Sequence, residues 1–310
     1  MTAALQTFAF FLFTFYFGLT GCALFRPPVE PPLQEATAGQ LAAMLRERQA
    51  AVQTMKGLFR AHLKGPGIPI AQRLEGAMFF QQPDRLRLQG FKHGSPLFDL
   101  VVGQDVYRLS LPATGRVLNG RVDELDRIGE LARPVRLSVM TVQAAVSVTP
   151  VTREQRANLT EEGDRYRLDV LAQPPTGSAG SDSVARPVRR LWFDRRSLLV
   201  VREEQLGETG QVEATILFED FRPVTGAGAP IPAATSMVRP AGGWLLPYRI
   251  TTTDERTGGT LTLNFHEIVP NTPLKPEELG LGARGPGREG GAEFLPLATR
   301  REPLANSDEP

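Results

Sequence analysis

Apolar and polar positions fall into three regimes along the chain. From Phe8 to Leu19 nearly every residue is aromatic or aliphatic, and no Lys, Arg, Asp or Glu precedes Cys22. At ~1.5 Å rise per residue this run is too short to cross a ~30 Å hydrocarbon layer, so it predicts the h-region of an export signal. From Thr37 the apolar period is near four. Leu41, Met44, Leu45, Val52 and Met55 share one face, while Arg46, Glu47 and Gln53 take the other. Thr37 and Gln40 have capping-box spacing, so the pattern predicts a helix from Thr37 that Gly57 ends.

Beyond Gly57 the period becomes two. Leu74, Met78 and Phe80 share a face; Leu86 and Leu88 alternate with Arg85, Arg87 and Gln89; Phe98, Leu100 and Val102 alternate likewise, then Tyr107, Leu109 and Leu111. Short breaks at Pro83-Asp84, Gly94-Ser95-Pro96 and Gly103-Gln104-Asp105 separate these runs. The pattern is that of an antiparallel meander with one wet face, its links too short for parallel crossovers. Alternation weakens between Arg121 and Val148. There Leu125, Ile128 and Leu131 suggest one short helix, and Pro134 opens a second through about Ala145. Strands resume at Arg165–Val170, Val188–Asp194, Leu198–Glu204, Val212–Phe221, Leu246–Thr253 and Leu261–Ile268. About ten or eleven strands suffice for a large curved sheet or open barrel. The Pro174–Ser183 stretch reads as a loop, and the Gly-, Arg-, Glu- and Pro-rich sequence after Leu281 as a disordered tail.

Composition narrows the class. The 310-residue chain has a formal net charge of +1, and removing the residues before Cys22 changes no charge. Strong electrostatic affinity for nucleic acid is therefore not expected. Cys22 is the only cysteine, so disulfides and thiolate zinc sites are excluded and the fold must rest on an apolar core. The stretch Arg26-Pro27-Pro28-Val29-Glu30-Pro31-Pro32 reads as a stiff, extended spacer.

Leu19, Thr20, Gly21 and Cys22 together resemble the lipobox of bacterial lipoproteins, although the usual basic n-region is missing. The resemblance implies cleavage before Cys22, diacylation of its thiol and a further amide-linked chain such as palmitate. Each buried methylene contributes ~0.8 kcal/mol, so two or three chains anchor a protein firmly. Ala23 and Leu24 stand where an aspartate often retains such proteins at the inner membrane, which favours the outer membrane, periplasmic face. The expected organisation is a signal peptide at 1–21, a lipidated cysteine and Pro-rich tether at 22–36, a domain at 37–275 and a tail at 276–310.

A leading helix passing into Gly57-Leu58-Phe59, Pro83-Asp84-Arg85-Leu86-Arg87-Leu88, Leu191-Trp192-Phe193-Asp194, Phe218-Glu219-Asp220-Phe221 and Leu246-Pro247-Tyr248-Arg249-Ile250 occur in an order that resembles the LolA/LolB lipoprotein-carrier fold. The resemblance spans roughly Thr37 to Asn271. It implies a mainly β (α+β) protein: a curved antiparallel half-barrel of about 11 strands, lidded by an N-terminal helix and short mid-chain helices. It also implies a non-enzymatic, monomeric lipid binder, LolB-like in receiving acyl chains of lipoproteins or phospholipid, with a periplasmic carrier or envelope protein as partner. Leu86, Leu88, Phe98, Leu100, Tyr107, Trp192, Ile216, Phe218, Leu263 and Phe265 are the candidate cavity lining, or else an ordinary filled core. Phe91 or Leu97 is the candidate group projecting from the loop after the third strand, the alternative being a turn residue folded onto the sheet. The competing function is a structural lipoprotein that holds a partner in an envelope complex.

Other chemistry is thinly supported. His62, His93 and His266 are scattered without metal-site spacing, and no cofactor or metal is expected. Gly280, Gly282 and Gly285 satisfy G-x-G-x-x-G, but no βαβ unit surrounds them. The pairs Glu161-Glu162 and Glu203-Glu204 read as solvated. Arg85, Arg87, Arg165, Arg167, Arg189 and Arg190 read as exposed strand faces, open to anionic headgroups. No nucleophile elbow is present.

Overall fold

The computed structural model describes residues 30–66, 68–122, 124, 137, 139–141, 151–152, 155–172, 186–224 and 244–280, with backbone alone at 68–71 and 244. The apolar N-terminal run, Leu19 to Cys22, the first short mid-chain helix, the Pro174–Ser183 stretch and the tail after Leu281 lie outside those residues. One helix, α1 (Ala38–Ala51), precedes thirteen strands: β1 (Thr54–Gly65), β2 (Ile68–Gln81), β3 (Arg85–Lys92), β4 (Ser95–Gly103), β5 (Val106–Leu111), β6 (Arg116–Arg121), β7 (Ala157–Glu162), β8 (Arg165–Leu171), β9 (Pro187–Asp194), β10 (Val200–Leu206), β11 (Val212–Val224), β12 (Trp244–Asp254) and β13 (Gly259–Pro270). They form one sheet in the order β6-β5-β4-β3-β2-β1-β13-β12-β11-β10-β9-β8-β7. Every neighbouring pair is antiparallel, as the short links predicted.

Two meanders meet in the middle, where β1 pairs with β13, and the free edges β6 and β7 are consecutive in sequence. The sheet is curved and open, a half-barrel. Thirteen strands replace the expected eleven or so. β6 and β7 carry few large apolar residues because an edge strand covered on one side needs few: Leu118 is half-buried in β6, Ala157 and Leu159 in β7. The helix also ends earlier than predicted. Val52 turns to extended backbone (φ −108°, ψ 94°), and Asn271, from beyond β13, bonds Ala51 O through Nδ2 (2.8 Å) and accepts from Gln53 N (2.9 Å). The stop is supplied from the far end of the chain, while Gly57 lies within β1. At the helix start the capping box forms as expected, Thr37 N donating to Gln40 Oε1 (2.8 Å) and Gln40 N to Thr37 Oγ1 (3.3 Å).

Glycines and aromatic rings share one row across the concave face. Phe265, Phe59, Gly76, Gly90 and Phe98 are successive cross-strand partners from β13 to β4, and farther along Tyr107 faces Gly120. The rings lie over the glycines. A Cβ on Gly76 would come within 2.4 Å of the Phe59 ring and 2.9 Å of Gln89 O; one on Gly90 would come within 2.2 Å of the Phe98 ring. Glycine in a strand interior permits such close approach and a tighter bend. Phe59 and Phe265 then meet edge to face at 5.8 Å.

After β13 the chain turns back over the convex face. Lys56 pairs with Glu278 (2.7 Å), Arg87 donates to Glu277 O (2.5 Å) and Leu279 is buried, so residues 272–280 form a strap across β1, β3 and β4. A test of the glycine row compares two substitutions. Gly76→Ala should lower unfolding stability by about 1–3 kcal/mol in urea titration, through overpacking against Phe59. Gly39→Ala on α1, where a Cβ meets nothing within 4 Å, should be neutral or stabilising by up to about 1 kcal/mol.

Candidate functional site

Eight of the ten candidate lining residues share the concave face and are buried in one cluster: Leu86, Leu88, Leu100, Tyr107, Ile216, Phe218, Leu263 and Phe265. The alternation of each strand puts them there. Phe98 packs against the same cluster, half-buried over Gly90. Trp192 departs from the expectation. Its neighbours Leu191 and Phe193 face the core, which turns Trp192 to the convex side, where Arg202 stacks on it at 4.8 Å. A run of three large apolar residues hid the period there.

α1 closes the concave side with Leu41, Leu45 and, at its C-cap, Val52, while Leu137 and Val139 enter the same cluster from the mid-chain helix. The described residues 137 and 139–141 are helical, in agreement with the predicted Pro134–Ala145 helix. Thr141 donates to Leu137 O (2.5 Å) and meets Thr252 Oγ1 at 2.7 Å, which satisfies both buried hydroxyls. The space between helices and sheet is thus filled largely by the chain's own side chains.

A cleft of about 320 Å³ opens beside α1 at the free edge of the sheet, lined by Ala38, Gly39, Ala42 and Arg46 of α1, by Val151, Thr152 and Gln155, and by Ala157 of β7. It exists because α1 has only small residues at positions 38, 39 and 42. Arg46, expected on the solvent face, crosses the cleft to donate to Val151 O (3.0 Å). The three small residues in the first turns of α1 were the available sequence signal. Arg48 lies seven residues after Leu41 on the inward side, and burial pushes its guanidinium down to about 10. A desolvated cation beside an apolar interior suits the charged end of an anionic amphiphile.

Arg85 and Arg165 are exposed as expected, whereas most charged residues of β8 to β10 are not the solvated groups expected. Glu203 faces the core opposite Leu191 and is buried with Arg189, 3.7 Å away. Burial raises the Glu203 pKa above the ordinary carboxylate value, and Arg189 opposes that rise. Glu204 is buried on the other face, among Arg190 (3.6 Å) and Arg202. Arg167 pairs with Glu162 and with Asp169 (3.3 Å), and Arg87 with Asp99 (2.5 Å). These arginines cover carboxylates across the sheet, so two adjacent glutamates point to opposite faces and both are buried. Glu161 and Glu162 stay exposed.

Phe91 and Leu97 do not project from a loop. Both lie within paired strands, half-buried, and the β3–β4 link is the tight turn His93-Gly94 with positive φ at both residues (51° and 79°). Among the described residues no group of His, Cys, Asp or Glu is placed to hold a metal, and no helix is long and apolar enough to cross a membrane.

No protein-family model matches the sequence, and no curated protein matches it. Solved structures do match the fold. A domain assigned to outer membrane lipoprotein sorting in Vibrio parahaemolyticus is 15% identical, with TM-score 0.50 over 78% of this chain and 97% of that one. A DUF1329 family protein from Desulfovibrio piger is 10% identical, with TM-score 0.50 over 78% and 95%. A LolA superfamily protein from Nitrosomonas europaea is 10% identical, with TM-score 0.48 over 77% and 96%. The fold is LolA/LolB-like.

The buried pair supplies a test. Glu203→Gln should destabilise the domain by about 3–5 kcal/mol, because it leaves a buried guanidinium without its counter-charge. The double variant Arg189→Met, Glu203→Leu should lose much less, and denaturant unfolding of both chains reads the difference.

Proposed function

We propose that the chain is a lipoprotein, acylated at Cys22 and held on the periplasmic face of the outer membrane, whose half-barrel receives an acyl chain of a lipoprotein or phospholipid beneath α1. The observation that carries this reading is an apolar helix–sheet contact left open at one edge. Leu41 and Leu45 cover the curved sheet, and the cleft at β7 enters between helix and strand. Because the interior is packed, a chain enters only by parting α1 from the sheet. Hydrocarbon then replaces side chain against the same surface, at roughly 25 cal/mol per Å² kept from water, so selectivity among acyl chains is weak. Arg48 at the helix's inward side favours an anionic head. The LolB-like role draws on the fold and on the lipobox resemblance, and it assigns no catalytic step.

The filled interior favours a second reading, a lipoprotein that uses the same fold to hold a partner protein of the envelope. Purification of the Cys22→Ala protein from its host distinguishes the two. The carrier reading expects stoichiometric acyl lipid in the extracted mass spectrum. It also expects Gly39→Phe, which fills the cleft from a position with open space, to lower that lipid severalfold with the thermal midpoint unchanged. A lipid-free domain that copurifies stoichiometrically with an envelope protein would establish the second reading instead.

A further inference from the structure

The segment that enters the first helix is bound to one end of the sheet, which bears on the end that meets a membrane. The strands have two rims. At the lower rim lie the β7–β8 turn, the β9–β10 turn and the far ends of β11 and β12; at the upper rim lie the β1–β2, β3–β4, β10–β11 and β12–β13 turns. Residues 30–36 are stitched to the lower rim. Gln34 N donates to Arg195 O (2.8 Å), Gln34 Nε2 to Arg196 O (2.5 Å), Tyr166 OH to Gln34 O (3.1 Å) and Ala36 N to Tyr166 OH (3.2 Å), while Glu30 pairs with Arg196 at 2.5 Å. Arg195 stacks on Tyr166 at 4.8 Å and locks the same turn.

Eight peptide links separate Cys22 from Glu30. Fully extended they span at most ~29 Å, and as a polyproline-like spacer ~25 Å. The candidate anchor is thereby held within that reach of the β7–β8 and β9–β10 turns.

The lower rim also carries the far end of the β11–β12 ladder. This two-stranded arm continues from Phe221↔Pro247 to Val224↔Trp244, after the last β10–β11 pair at Leu217 and the last β12–β13 pair at Arg249, while β13 runs on against β1 to Pro270. Arg222, about half exposed, stacks on Tyr248 at 4.7 Å and pairs with Asp220, and its cross-strand partner Leu246 is half-buried on the same face. An aromatic ring, a long cation and aliphatic carbon in one patch match the headgroup layer of a bilayer.

We propose that the lower rim, through the β11–β12 arm and the β7–β8 and β9–β10 turns, is the surface that rests on the bilayer, and that the β3–β4 turn points away from it. The proposal rests on acylation of Cys22. It also moves the membrane-facing role from Phe91 and Leu97 to the opposite end of the sheet.

The test uses the mature acylated protein in vesicles of phosphatidylethanolamine and phosphatidylglycerol with brominated acyl chains. Acylation leaves no free thiol, so one introduced cysteine takes one fluorophore. Asp164→Cys and Pro223→Cys report the lower rim; Ser95→Cys and Glu208→Cys report the upper. The expected result is loss of most fluorescence at Asp164 and Pro223 and none at the upper positions. Equal or stronger loss at Ser95, or loss nowhere, overturns the proposal while the acyl mass in the same sample leaves the anchor standing. An unacylated protein that ignores vesicles removes the anchor itself, and this orientation with it.

Discussion

Antiparallel pairing of β1 with β13 is the constraint on which the rest of the molecule depends. Ten residue pairs, from Met55↔Pro270 to Lys64↔Thr260, join the first strand to the last and turn two separate meanders into one sheet. The register shifts between Leu58 and Phe59, and a bulge at that point adds twist where the two halves meet. Without this ladder the helix would lose its stop, since Asn271 reaches Ala51 only because β13 ends beside the start of β1. The convex strap depends on it as well. Residues 272–280 leave β13 at the same place, and Glu278 finds Lys56 on the adjoining strand.

Curvature creates a need for apolar cover, and the concave face shows how it is met. The row Phe59, Gly76, Gly90, Phe98 sets two glycines between two rings, so that aromatic faces lie against backbone where side chains would otherwise hold them off. α1 and the mid-chain helix complete the cover with Leu41, Leu45, Leu137 and Val139. Their cover ends at β7, where the small residues of α1 leave an open cleft. α1 is held by non-directional burial along its inward side, by the Arg46–Val151 O hydrogen bond across the cleft, and at its end by Gln82 and Asn271 bonding Gln49 O and Ala51 O.

The two halves of the sheet differ in how their outer faces are handled. Around β1 to β4 the C-terminal strap covers the convex side, with Leu279 buried and Arg87 bound to its carbonyls. On β8 to β10 no strap is needed, because Arg167, Asp169, Arg190, Glu204 and Arg202 form a chain of opposite charges from strand to strand. Cross-strand charge pairs are modest contributors when exposed, but here they flank Trp192 and are partly screened from water. Glu203 is the exception that faces inward, ion-paired with Arg189 at 3.7 Å, and a buried pair adds little net stability over apolar side chains of the same volume.

Periodicity alone determined much of this protein: the helix with its capping box, ten of the thirteen strands, their antiparallel order and nine of the ten candidate residues that meet on the concave face. Those signals are local, since burial of one face imposes a repeat of two or near four on the residues themselves. Tertiary structure decided the remainder. It chose where α1 stops, through an asparagine more than two hundred residues away; it turned Trp192 outward and Glu203 inward; it made strands of β6 and β7, whose weak patterns suffice only beside a partner. It also decided that the apolar face is filled and that the open cleft lies under Ala38, Gly39 and Ala42. The physical reason is that period fixes which way a side chain points, whereas the volume between two surfaces depends on how far apart the whole chain holds them.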